Sequence, residues 1–177
     1  MSTQARIDIC TALSDLLNHK SFEDITVKDI TLKSGYSRAT FYRHFKDKYE
    51  VMNYAYTYKV DQLIDVYGEN NQEIIIQTLE YMQNHSVYFK HVAKSEGQNS
   101  FTNFVYQYTI DYFNQYQSDA LANYSNDNDE KSSLLVFISS GSVAIVNQWI
   151  KDNFKQPAKW IGQLIYRLLP DPIKPLN

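Results

Sequence analysis

Residues 26–48 read TVKDITLKSGYSRATFYRHFKDK, and this stretch decides the fold. Thr26 opens it as an N-cap, with Asp29 three residues on as the acidic half of a capping box. A short helix through Val27, Ile30 and Leu32 is expected to stop at Gly35, where a left-handed residue ends a helix at no steric cost. Ser37 caps the next helix, which reaches about Phe45 and carries Phe41 and Phe45 four apart on one face. Two capped helices around a tight Ser34-Gly35-Tyr36 turn make a helix-turn-helix. In that geometry the second helix lies across the first and fits a major groove about 12 Å wide.

The surface of that second helix suits DNA. Arg38, Ala39, Thr40, Tyr42, Arg43 and His44 are expected to face outward while Phe41 and Phe45 point into the core. Arg38 is suited to read guanine bidentately and Ala39 to touch a thymine methyl; Thr40, Tyr42 and His44 are suited to donate to phosphates. Thr26, Val27, Lys28 and Ser37 are placed with them as DNA-facing positions. Asp47 and Glu50 start a long helix that reaches Tyr67. Lys48, in its first turn, opposes the helix dipole, and a nearby phosphate would account for it.

Charge is arranged accordingly. The chain of 177 residues has a net charge of −3, yet residues 1–50 carry eight basic and seven acidic side chains and the remainder nine and thirteen. Within 36–48, Arg38, Arg43, Lys46 and Lys48 face only Asp47. A local positive patch on an acidic protein is the footprint of a nucleic-acid binder.

Upstream, Ile7, Cys10, Leu13 and Leu17 recur at helical spacing and predict a first helix over about Thr3–His19, with Phe22 and Ile25 apolar in the connection after it. Downstream, Gly68-Glu69-Asn70-Asn71 is a turn, and helices are expected over about 72–84, 86–95 and 100–124. Ser125–Asp129 is a loop. In the helix beyond it, to about Asn153, Leu134, Phe137, Ile138, Gly141, Ile145 and Trp149 mark one stripe. Pro157 fits the first turn of a last helix, where Trp160, Ile161, Leu164, Ile165, Leu168 and Leu169 form a wide apolar face. Pro170, Pro172 and Pro175 close the chain. No period-2 strand and no repeat is present, so the reading is all-α with about nine helices: a three-helix helix-turn-helix domain over 1–48 and a dimerisation and effector domain over 49–177.

Composition narrows the class further. Apolar residues make up 44% of the chain, enough for a core, and five Gly and four Pro leave long uninterrupted helices. A single cysteine, Cys10, excludes an internal disulfide and reads as a small core residue in a reducing compartment. The N-terminus lacks a basic flank and apolar run, and no apolar stretch approaches the roughly 18 residues of a membrane span, so the expected location is the cytoplasm, with no membrane partner.

The run Thr40-Phe41-Tyr42-Arg43-His44-Phe45-Lys46-Asp47-Lys48 resembles the DNA-binding signature of the TetR family of regulators. The resemblance covers about the first 50 residues, through helix lengths, turn glycine, aromatic positions and the lysine. Tyr36 departs from it, since the family usually has a smaller aliphatic residue there, and this bears on base specificity rather than on the fold. The resemblance implies double-stranded operator DNA as partner and a helical C-terminal domain that forms a homodimer and houses a small-molecule effector. In keeping with this, Ser139-Ser140-Gly141-Ser142 supplies small side chains for close helix approach. The alternative is that this stripe packs within its own subunit.

Tyr81, Tyr88, Phe89, Phe101, Phe104, Tyr108 and Tyr112 are the candidate lining of an effector pocket, or else ordinary core. Tyr88-Phe89-Lys90 to Gly97, Phe101 and the Gly141 to Trp149 spacing resemble a subgroup that includes regulators of dihydroxyacetone kinase operons, a similarity that transfers no effector. His85 and His91, six apart and roughly 240° around a helix, cannot share an ion from one helix, and no Cys/His cluster exists, so no metal is expected. No phosphate-binding glycine loop, zincin pair or nucleophile elbow occurs, so neither catalysis nor a cofactor is expected. Two readings remain: a ligand-released repressor, and a co-regulator of the same fold acting mainly through protein contacts.

Overall fold

A computed structural model describes residues 3–171; Pro172 and Pro175 of the closing proline run lie outside them. The described residues form ten helices and no strand: α1 (Thr3–Leu17), α2 (Val27–Ser34), α3 (Arg38–His44), α4 (Lys48–Tyr67), α5 (Asn71–Asn84), α6 (Ser86–Val92), α7 (Phe101–Tyr116), α8 (Ser118–Tyr124), α9 (Asn128–Lys151) and α10 (Ala158–Leu168). The all-α expectation holds, with one helix more than expected. The stretch expected as a single helix over 100–124 breaks at Gln117 (φ −126°, ψ 26°). No glycine or proline causes this break. Gln117 is buried, and its amide donates to Asn71 Oδ1 at 3.2 Å, so a tertiary bond overrides local propensity.

The largest apolar cluster begins in α1 with Ile9, Leu13 and Leu17 and takes in Phe41 and Phe45 beside α3. It continues through Val51 and Met52 of α4 to Phe89, Trp149 and Ile161. The N-terminal headpiece and the rest of the chain therefore share one core. Two bonds reinforce the junction: the Tyr88 hydroxyl donates to the Met52 carbonyl at 2.7 Å, and Cys10 Sγ lies 3.6 Å from the Val51 carbonyl. Burial pushes the Cys10 thiol up to about 12, which keeps it protonated.

Helix α9 departs from two expectations. It is 24 residues long and apolar enough, by length and composition, to cross a bilayer, which overturns the statement that no segment approaches that limit. Its apolar residues also do not form one stripe. Leu134, Ile138 and Trp149 are buried within the molecule, whereas Phe137 is 71% exposed and Gly141 is also exposed. Two apolar faces, one turned inward and one outward, explain the composition without a membrane. Helix α10 repeats the division: Ile161, Ile165 and Leu169 are buried, and Leu168 is 59% exposed.

Within the chain the closest helix approach is at Gly162, while Gly141 is open on its outward side. A Cβ on Gly141 would meet nothing within 4 Å, whereas a Cβ on Gly162 would sit 2.7 Å from Ile76 Cγ1 and 3.0 Å from its Cα. Gly162 is what lets α10 lie against α5. Gly162→Ala should therefore destabilise the protein by ~1–3 kcal/mol through overpacking. Gly141→Ala, at an open helical position, should be neutral or stabilising by up to about 1 kcal/mol. Thermal melts of the two variants check this, and equal midpoints would contradict the packing described.

Candidate nucleic-acid interface and internal cavity

The helix-turn-helix is built by its caps. Asp29 N donates to Thr26 Oγ1 at 3.2 Å and Thr26 N donates to Asp29 Oδ2 at 2.9 Å, a complete capping box. Those bonds from Thr26, aided by Lys20 at 3.2 Å, lower the Asp29 carboxyl to about 2. Gly35 adopts φ 75° and its N–H returns to the Thr31 carbonyl, ending α2 where left-handed backbone is required. Ser37 Oγ then accepts from Thr40 N at 3.1 Å and starts α3. Asp47 Oδ1 accepts from Glu50 N at 2.9 Å and starts α4.

On the surface so formed, Thr26, Lys28, Ser37, Arg38, Ala39, Tyr42 and Arg43 are exposed and Thr40 is half-buried, its hydroxyl 3.0 Å from Ser37 Oγ. Val27 is half-buried against the core. Among the described residues neither Arg38 nor Arg43 forms a salt bridge or a hydrogen bond, so both guanidinium groups are available.

Two residues of the expected DNA-binding set are engaged within the protein. His44 is buried, with Nδ1 lacking a partner; burial, then the charges of Arg43 and Arg6, hold the imidazole toward its neutral form. Lys48 is the second. Its Nζ donates to the carbonyls of Phe22, Glu23 and Ile25 at 2.9, 3.0 and 2.9 Å, and lies 4.7 Å from the centre of the Phe22 ring. Three carbonyls of the α1–α2 connection hold the cation at this helix start.

The sequence reading missed two residues of α1. Arg6 donates to the His44 carbonyl at 3.0 Å while its guanidinium lies over Tyr54 at 4.8 Å and Phe45 at 5.2 Å. It satisfies an orphan carbonyl at the negative end of α3 and ties that helix to α1 and α4. Asp8 accepts from the Tyr36 hydroxyl at 2.9 Å, so the tyrosine that departs from the family pattern anchors the turn to α1. Both contacts span about 30 or more positions in sequence, and helical periodicity carries no signal for them.

Between the middle helices lies a cavity of about 120 Å³. Tyr56 and Val60 of α4 form one wall; α5, α7, α9 and α10 supply the others, including Phe101, Tyr108 and Tyr112. The other four aromatic candidates do not line it. Phe89 is fully buried between the rings of Tyr81, Tyr88 and Phe101; the Tyr88 hydroxyl is bound to Met52. Tyr81 stacks 4.3 Å from His85 in a groove beside α1, and Phe104 faces a separate groove with Arg6 and Tyr54. The sequence could not separate the two sets, because all seven follow helical spacing.

The cavity wall is joined to α4 by a polar contact. The Tyr108 hydroxyl donates to Asp61 at 3.2 Å; burial, then Asp61, pushes Tyr108 up, and burial also raises Asp61. The Tyr112 hydroxyl donates to Asn71 at 2.6 Å, and burial pushes Tyr112 up to about 12. No group of three or more His, Cys, Asp or Glu suited to a metal occurs among the described residues.

Residues 9–55 match the family model described as bacterial regulatory proteins, tetR family, and residues 69–171 match the one described as transcriptional regulator C-terminal region. A curated protein from Lactococcus lactis subsp. lactis (strain IL1403), the HTH-type dhaKLM operon transcriptional activator DhaS, is 25% identical over 88 residues. That match covers 48% of this chain and 46% of the relative, so it spans about half the relative's length. A solved structure, dihydroxyacetone kinase operon activator DhaS, superposes with a TM-score of 0.68 at 19% identity over 95% of each chain, a likeness of fold. Members of the matched family are DNA-binding regulators and not enzymes. With both of its parts matched and its fold shared, the chain belongs to the TetR family of bacterial transcriptional regulators.

Proposed function

We propose that the chain is a homodimeric repressor that binds a pseudo-palindromic operator through α3 and leaves it when a small molecule fills the cavity. The observation that carries DNA binding is the unengaged pair Arg38 and Arg43, exposed on a helix whose other outward residues are Ala39 and Tyr42. Arg38 would read a base edge, and Thr26, Lys28, Ser37, Thr40, Tyr42 and Arg43 would hold the backbone. The setting is the cytoplasm, with operator DNA at hand. Dimerisation is supported by exposed apolar residues on α9 and α10: Phe137, one turn from the exposed Gly141, and Trp160 and Leu168. Release is supported by α4, which supplies Tyr56 and Val60 to the cavity and Val51 and Met52 to the headpiece core.

A second reading is favoured by the name of the L. lactis relative, an activator: the same fold bound to DNA and acting through contact with another protein. A reporter strain separates the two. Deleting the gene should raise expression from the operator if the protein represses, and lower it if the protein activates.

Arg38→Ala should weaken operator binding by ~1–3 kcal/mol and relax preference at one base pair in each half-site, read by competition binding with mutated operators. Unchanged affinity and unchanged preference would remove Arg38 from base reading. Lys48→Met should behave differently: it strips the donor from three carbonyls and should cost about 1–3 kcal/mol of stability. The salt dependence of operator binding should keep its slope, whereas a slope reduced by about one ion would return Lys48 to a phosphate.

Phe137→Asp or Gly141→Asp should yield monomers in sedimentation, since either puts a charge on the outward face of α9. An unaltered dimer in both variants would place the interface elsewhere.

A further inference from the structure

We propose that the cavity takes one uncharged, largely apolar molecule of about single-ring size, oriented by Asn147 and Thr102. This deepens the reading of the cavity as the effector site, and it rests on the chemistry of the cavity wall. Among the residues that line it there is no Asp, Glu, Lys, Arg or His. A charged ligand would enter without a counter-charge and lose its hydration, which strongly disfavours binding.

The two hydroxyls that look like ligand partners are already engaged. Tyr108 donates to Asp61 and Tyr112 donates to Asn71, so these side chains offer ring faces to the hollow rather than polar handles. Ile74, Phe101, Val105, Val143 and Ile165 supply a largely apolar lining.

Hydroxyls of Tyr56, Thr78 and Ser142 also line the wall, and one hydrogen-bonded pair on it, Asn147 with Thr102, keeps capacity for a ligand. Asn147 Nδ2 donates to Thr102 Oγ1 at 3.2 Å, which fixes the amide and leaves its Oδ1 without a hydrogen bond among the described residues. Asn147 Oδ1 can accept from a ligand hydroxyl, and the Thr102 hydroxyl proton can be given to a ligand oxygen. A single hydroxyl or carbonyl on an otherwise apolar body matches that pair.

Size sets the other limit. The cavity of about 120 Å³ is close to the engineered protein cavity of about 150 Å³ that admits benzene. A short polyol such as dihydroxyacetone, the compound in the name of the structural neighbour, would fit by volume but not by chemistry. Its three oxygens would exchange several water contacts for the few polar groups of a mostly apolar wall, with little apolar area to compensate.

The test is calorimetry on the full chain, without DNA, using benzyl alcohol, benzoate and dihydroxyacetone. Benzyl alcohol should saturate at one molecule per chain and bind at least about tenfold more tightly than the other two. Val105→Trp, which fills the hollow, should abolish that binding while the circular dichroism spectrum is retained. Ser142→Phe, at another point of the wall, serves the same purpose if the first variant fails to fold. Asn147→Leu should remove the advantage of benzyl alcohol over toluene. Absence of benzyl alcohol binding, equal binding of benzoate or dihydroxyacetone, or unaltered binding in a folded, filled variant would overturn the proposal. Because no operator is present in these titrations, failure of DNA binding or of ligand-driven release leaves their outcome intact, and the reverse also holds.

Discussion

The structure depends on the burial of the first turns of α4. Val51 and Met52 are both fully buried, and they belong to the same cluster as Phe41 and Phe45 below them and Phe89 and Val92 above. Lys48, one turn earlier, holds three carbonyls of the α1–α2 connection, and Tyr88 holds the Met52 carbonyl from the other side. Fully burying each such side chain is worth about 1.5–3 kcal/mol, and leaving a carbonyl without a donor costs a similar amount. Nothing at this junction resembles a free hinge. Any displacement of α4 has to carry α3 with it, and with α3 the exposed Arg38 and Arg43.

That constraint explains why α3 can be only seven residues long. A helix of two turns is marginal in isolation, since nucleation is costly and few bonds repay it. Here α3 is fixed at both ends by groups from elsewhere: Ser37 caps its start, and Arg6 of α1 closes the carbonyl of His44 at its end while stacking on Phe45 and Tyr54. Phe41, fully buried on its inner face, supplies the packing. The outer face is therefore relieved of structural duty, and its residues are free to be chosen for what they contact.

Much of this was legible because it is local. The Thr26–Asp29 box, the Gly35 stop, the Ser37 cap and the Asp47 start all lie within a few residues of their partners, and each appears where the pattern put it. What failed to show in the sequence is long-range. Lys48 looked anomalous against the helix dipole, and the groups that hold it lie 23 to 26 residues away in three carbonyls. Gln117 breaks a helix through a bond to Asn71, and nothing near Gln117 announces it. The aromatic residues follow the same logic: Tyr88 and Phe89 share the spacing of Phe101 and Tyr108, and only the packing of α6 against α1 and α9 sends the first two into solid core and the others to the cavity. Along α9 the apolar pattern overran one face because the helix is apolar on two, a distinction that composition alone cannot draw.

The joined core also bears on how a signal would cross the molecule. Tyr56 and Val60 stand on the cavity side of α4, and Asp61 receives the Tyr108 hydroxyl from α7, so the cavity is closed on one side by the helix that enters the headpiece. A molecule that prises Tyr108 away from Asp61, or presses on Tyr56, acts on α4 directly. With 20 residues α4 spans about 30 Å, and a tilt of about 5° moves its far end by about 2.6 Å. In a dimer reading half-sites roughly one DNA turn apart, two such displacements add or cancel according to the two-fold axis, and a register error of this size is enough to misplace side chains that must meet base edges. The energy needed is modest: a hundredfold change in operator affinity corresponds to about 2.7 kcal/mol of coupling, the scale of one buried side chain. Because the headpiece has no hinge of its own, that coupling need not be conducted through a chain of intermediate switches. It would be the difference between two positions of one rigid body, and a ligand in the cavity would have only to prefer one of them.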